Sequence, residues 1–113
     1  MRSLVAKWQW WRSASAIACC VAMPQVAAGD PAVDTARLSN LVRQDCGSCH
    51  GLTLKGGLGK PLTAEHLKQW DRGQLIHIIL DGVPGTPMPG WRPLLTESEA
   101  NWIADTLLKG TLR

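Results

Sequence analysis

The sequence predicts an all-α fold, and three observations carry the prediction. Apolar residues recur at helical spacing in short segments, and two of these open on Asp or Thr with Gln or Glu three residues on. No run alternates apolar and polar residues convincingly enough to be a strand, and the stretches between segments are rich in glycine and proline. Residues Cys46 to His50 carry two cysteines and a histidine at the spacing of one helical turn. A chain of 113 residues holds one domain at most, and it shows no repeats, low-complexity tracts or interdomain linker.

The first 28 residues stand apart from that domain. "MRSLVAKWQWWR" carries three positive charges and no acid, Ser13 to Met23 is an uncharged apolar run of 11 residues, and "PQVAAGD" ends in small residues. This is the order of a secretory signal, with Val26 and Ala28 at the small-residue positions and the cut between Ala28 and Gly29. The apolar run is well short of the roughly 20 residues that span a bilayer, which argues against a retained anchor. Cys19 and Cys20 leave a lipidated cysteine as an alternative, but it reduces the apolar region to Ser13–Ala18. Residues 1–28 are therefore expected to be cleaved, and 29–113 to form an exported domain with no stable membrane insertion.

Cleavage removes Arg2, Lys7 and Arg12, leaving nine Lys/Arg against nine Asp/Glu. The formal charge of +3 belongs to the signal, and the remaining 85 residues are near neutral. A nucleic-acid surface would want a basic patch, so no nucleic-acid partner is expected. Cys46 and Cys49 are the cysteines that remain, and Met88 is the one methionine.

A first helix is expected from about Asp34 to Asp45, with Val33, Leu38, Leu41 and Val42 as its apolar stripe. It leads into "CGSCH", and Gly51–Lys60 comes next as a glycine-rich loop. "LTAEHLKQW" reads as a short helix capped by Thr63. "DRGQLIHIIL" reads as another, with Asp71 and Gln74 as a capping box. "GVPGTPMPGW" fits neither helix nor strand, because its prolines fix φ, remove donors and push the preceding residue out of the helical region. The last helix starts at Thr96, boxed by Glu99, and stops at Gly110. Ile103, Leu107 and Trp102 offer it a face to pack on the first helix.

"CGSCH" is the C-x-x-C-H attachment signature of c-type haem. At i, i+3 and i+4 the two thiols and the imidazole share a helix face, so both thiols can meet the haem vinyl groups while His50 approaches the iron. Zinc would need two further ligands at ordinary spacing, and His66 and His77 are eleven apart. A thioredoxin-like pair needs a strand–helix–strand context that is absent. With His50 on one side of the iron, Met88 is the expected ligand on the other, its thioether held in a stiff, proline-bracketed loop. His77 is better placed on the flank of a packed helix, and His66 near its helix start facing solvent.

Together these residues resemble the class I cytochromes c, across essentially the whole of 29–113. A helix precedes "CGSCH", a Gly/Pro loop comes after it, a methionine precedes a proline, and a terminal helix carries an aromatic. The resemblance implies a small fold wrapped around one covalent haem, attached with help from the cytochrome c maturation machinery. It implies that a proline carbonyl after the motif accepts the N–H of the proximal histidine, and Pro61 in "GKPL" matches that position. "DGVPGTPMPGWRPLLTESEANWIADTL" is more narrowly similar to the small NirC-type cytochromes found with the nitrite reductase that carries haem c and haem d. That resemblance implies a periplasmic monohaem protein of denitrifiers. In related proteins an aromatic near the methionine loop bonds a haem propionate. Trp91 can do so through its indole N–H or can simply be core. Lys55 and Lys60 flank the glycine-rich loop, as a docking rim or as solvated charges.

Three roles fit this reading. The first is a one-electron carrier, not an enzyme, that passes electrons to periplasmic redox proteins, with nitrite reductase foremost. The second is an accessory electron acceptor in maturing the reductase's d-type haem, and the third a haem enzyme with an open sixth position. Met88 counts against the third; the first two use the same site and differ only in partner, and the first is favoured.

Overall fold

The computed structural model describes residues 32–112. The expected signal segment and its cut lie outside the described residues. Among these, every regular element is helical: α1 (Thr35–Leu41), a π-helical turn (Val42–Cys46), α2 (Gly47–His50), α3 (Ala64–Leu67), α4 (Arg72–Asp81) and α5 (Glu97–Lys109).

The first three elements form one helical run that passes straight through the Cys/His motif. Asp34 is not its first residue but its N-cap, its carboxylate accepting the Arg37 N–H at 2.9 Å. The π turn widens the helix just before the motif. Leu38 and Val42 lie four apart and are both fully buried. The extra residue in the turn then shifts the phase of the residues beyond it. Cys46 and His50 emerge half-buried and Cys49 exposed. One helix thus serves the core with one face and the motif with another.

The segment after the glycine-rich loop is shorter than its sequence suggests. Thr63 Oγ1 caps it by accepting the His66 N–H at 3.4 Å, but the helix ends at Leu67. Asp71 ends any continuation, because it takes an extended conformation to cap α4. Its carboxylate accepts the Gln74 N–H at 2.8 Å, and Gln74 accepts the Asp71 N–H at 3.0 Å. Thr96 and Glu99 make the same reciprocal pair at 3.2 and 2.9 Å, and Gly110 stops α5 in the left-handed conformation.

Ala100, Ile103, Ala104 and Leu107 make a buried row along α5 at i, i+3, i+4 and i+7. The row meets α4 more broadly than α1 or α3, so the expected packing on the first helix is the smaller part of the contact. Trp102 lies half-buried beside the core rather than in it. The buried cluster is aliphatic, and Trp91 packs on its margin. Two exposed ion pairs fasten α5 from the outside, Arg37 to Glu99 on the α1 side and Arg72 to Asp105 on the α4 side.

Candidate haem site

α2 ends at His50, and a helix end leaves carbonyls without intrahelical partners. Here the glycine-rich loop folds back to supply them. Gly59 donates to the Cys49 carbonyl at 2.8 Å, Gly56 to the His50 carbonyl at 2.9 Å, and Leu54 to the Gly51 carbonyl at 2.7 Å. The loop therefore lies directly against the imidazole. A Cβ added at Gly59 would sit 2.7 Å from His50 Nδ1 and 2.8 Å from Cε1, closer than atoms tolerate. Glycine is required there by space.

His50 Nδ1 lies 2.6 Å from the Lys60 carbonyl oxygen. A carbonyl only accepts, so Nδ1 carries the proton and Nε2 is left with a free lone pair. Such a partner fixes the tautomer and the ring orientation of a ligating histidine. The acceptor expected from the resemblance was the carbonyl of Pro61. The structure places it one residue earlier. Pro61 acts on its neighbour instead, because a proline biases the preceding residue out of the helical region. Lys60 is the residue so constrained.

Cys46 and Cys49 are not joined to each other in a disulfide. Burial pushes the Cys46 thiol up to about 11, and the Asp45 charge adds to the rise. A dithiol redox centre needs the opposite shift, toward thiolate. A neutral, half-buried thiol beside an exposed one suits addition to an apolar ligand lying along the helix. Among the described residues no three His, Cys, Asp or Glu side chains gather as a zinc ion would require.

The segment 82–90 is irregular, as its prolines dictate. Val83 and Thr86 close a turn, with the Thr86 N–H 3.2 Å from the Val83 carbonyl and its hydroxyl donating to the same oxygen at 2.7 Å. The Met88 N–H donates to Thr86 Oγ1 at 3.3 Å and its carbonyl accepts from Val83 at 3.2 Å. Met88 is half-buried in a loop whose other residues from 83 to 90 are exposed. Gly82, with φ of 73°, brings the chain so close that a side chain there would strike the Met88 carbonyl at 2.7 Å.

The other sequence candidates lie around this centre. Trp91 is half-buried and packs against the core, and its backbone N–H donates to the Ile79 carbonyl at 3.0 Å. Lys55 and Lys60 are exposed, and between them Leu58 is 84% exposed. His77 is exposed on α4 with Nδ1 2.8 Å from Asp81 Oδ2, and His66 is half-buried rather than facing solvent. A cavity of about 490 Å³ lies between Leu52–Leu54, Leu62–Glu65 and the C-terminal end of α5. Its wall includes neither His50 nor Met88, so it is separate from this site. Sequence reasoning missed Gly59, the Lys60 carbonyl and the pairing of Asp81 with Arg92. Only the glycine spacing after the motif hinted at the first.

Two thiols one helical turn apart, an imidazole oriented through its far nitrogen and an all-helical frame define a c-type cytochrome domain. Residues 33–105 match the family described as cytochrome c oxidase, cbb3-type, subunit III. The cytochrome c55X of Paracoccus denitrificans (strain Pd 1222) is 64% identical over 85 residues, covering 73% of this chain and 81% of that protein. The solved structure of the c-type cytochrome NirC superposes with a TM-score of 0.67 at 49% identity, covering 68% of this chain and 91% of that one. Dihydro-heme d1 dehydrogenase NirN, solved in complex with DHE, matches with a TM-score of 0.58 at 35% identity, over 61% of this chain and 15% of that one. The chain belongs to this c-type cytochrome family, in the group of the cytochromes c55X. The family carries covalently bound haem c with its iron, and Cys46 and Cys49 fit the attachment motif.

Proposed function

We propose that residues 29–113 form a periplasmic one-electron carrier, exported by cleavage of residues 1–28, that donates to nitrite reductase. Cys46 and Cys49 would hold the haem by thioether bonds, and His50 Nε2 and the Met88 thioether would ligate its iron. The observation that carries this reading is the 2.6 Å bond from His50 Nδ1 to the Lys60 carbonyl, on the helix turn that bears both thiols. It leaves Nε2 as the donor, aimed and of fixed tautomer. The haem supplies a site that takes up and releases single electrons. The chain supplies orientation through Lys60 and Gly59, and a thioether that raises the reduction potential. With His50 and Met88 both ligating it, the iron would offer no open position to a substrate, which disfavours the haem-enzyme reading.

The cytochrome c maturation machinery is the partner required for attachment. A second reading, electron acceptor in maturing d-type haem, draws on the likeness to a 15% segment of a dihydro-heme d1 dehydrogenase. The two roles share one site and differ in partner. The test mixes the reduced protein with nitrite reductase and nitrite and monitors haem oxidation. Sustained oxidation coupled to nitrite consumption is expected. Negligible transfer, together with reductase lacking d-type haem in a strain without the gene, would replace the donor role with the maturation role.

A further inference from the structure

We propose that the Asp81–Arg92 ion pair is a latch at the neck of the methionine loop, positioning Met88 against the iron; this rests on Met88 being the sixth ligand. The chain leaves α4 at Gly82 and returns at Trp91. Between them only the Val83–Thr86 turn and two weak bonds at Met88 hold the loop from within. The position of the sulfur therefore depends on the neck.

The neck is closed twice. Trp91 and Arg92 donate their backbone N–H groups to the Ile79 and Leu80 carbonyls, at 3.0 and 3.1 Å. Outside these bonds the Arg92 guanidinium grips both oxygens of Asp81, Nε to Oδ1 at 2.5 Å and Nη2 to Oδ2 at 2.9 Å. His77 Nδ1, one turn back on α4, lies 2.8 Å from Oδ2 and steadies the carboxylate. A two-bonded fork fixes angle as well as distance. It joins the last residue of α4 to the second residue past the loop, so the closed ring contains Met88. Holding the ends together removes loop conformations in which the sulfur lies away from the iron. An exposed pair adds little to global stability. Its effect is local to the ring it closes.

The comparison pair is Arg72–Asp105, also two-bonded, which joins the start of α4 to α5 and closes a much longer ring, from residue 72 to 105, so that it constrains the position of Met88 far less. The experiment measures the rate of imidazole binding to ferric holoprotein, with the sulfur-to-iron charge-transfer band as a second readout. Arg92→Met should admit imidazole about two- to fivefold faster and weaken the band, the scale an exposed pair can supply. Arg92→Lys, which keeps the charge but loses the fork, should fall between. The double exchange Asp81→Arg with Arg92→Asp should recover part of the wild-type rate, and Arg72→Met should match the wild type. If Arg92→Met and Arg72→Met admit imidazole at the same rate, Asp81–Arg92 is an ordinary surface pair and the latch is wrong. A wild-type protein without the band would overturn Met88 ligation itself, and the latch with it.

Discussion

Gly59 shows how much a hydrogen atom in place of a methyl decides. Gly59→Ala would drive a carbon to within 2.7 Å of His50 Nδ1, so either the ring turns or the loop lifts and the Lys60 bond is strained. Overpacking of this kind costs about 1–3 kcal/mol. The variant should yield less holoprotein, with a lower unfolding midpoint by thermal denaturation and a shifted potential by titration. At Met88 the expectation is sharper. Met88→Ala should remove the sulfur-to-iron charge-transfer band, lower the potential and let the ferrous protein bind carbon monoxide. Met88→His should restore six-coordination at lower potential, because the thioether is what favours the ferrous state. The cysteine pair of the attachment motif was legible in the sequence, and His50 and Met88 are the ligands expected from it, since each carries its chemistry in its side chain. The Lys60 carbonyl was not. Every residue has a carbonyl, and only the path of the loop decides which one faces Nδ1.

Among the elements, the helix starts were the most legible part, because a capping box is written within four residues. Thr96→Ala removes the acceptor for the Glu99 N–H and should cost about 1 kcal/mol in chemical denaturation. Glu99 carries more than Thr96 does, since the same carboxylate accepts the Thr96 N–H and pairs with Arg37 on α1. Local pattern could not give partnership. The buried row on α5 was visible as a stripe, but which helix it faces depends on the shape of the loops between. The short α3 was hidden because its last expected residues pack less well than Asp71 caps the next helix. The π turn had no signal at all, since Val42–Cys46 reads as ordinary helix until its two ends are asked to face different ways.

For the molecule as a whole, charge acts mainly through three carboxylates at the surface, Asp81 exposed and Glu99 and Asp105 half-buried, that tie segments together. The Thr96 N–H, then Arg37, hold Glu99 below its ordinary value. Arg72 does the same for Asp105, and Arg92 for Asp81. A carboxyl whose folded value is depressed binds its proton more weakly in the folded chain than in the unfolded one. Its contribution is therefore complete above the ordinary values of 4.5 and 3.8 and is lost as the pH falls through and below them. Thermal midpoints should stay level through neutral pH and drop in acid, and the drop should shrink in a Glu99→Gln, Asp105→Asn double variant. Because these pairs lie at the surface, added salt should flatten the profile further.

The widened turn ahead of the motif makes spacing along the chain a matter of phase. Take one residue out between Val42 and Asp45 and the helix hardly shortens. It is re-timed, and Cys46, Cys49 and His50 swing toward the side that Leu38 and Val42 already occupy. An attachment apparatus that reads only the pentapeptide would still load such a chain. The product would be a haem-bearing polypeptide unable to close around its own cargo, recognisable by full covalent haem with little cooperative unfolding. Insertions and deletions are usually tolerated in loops and penalised in helices for breaking hydrogen bonds. Here the penalty would come from rotation, and five residues of ordinary composition would be as intolerant of a change in number as the motif is of a change in kind.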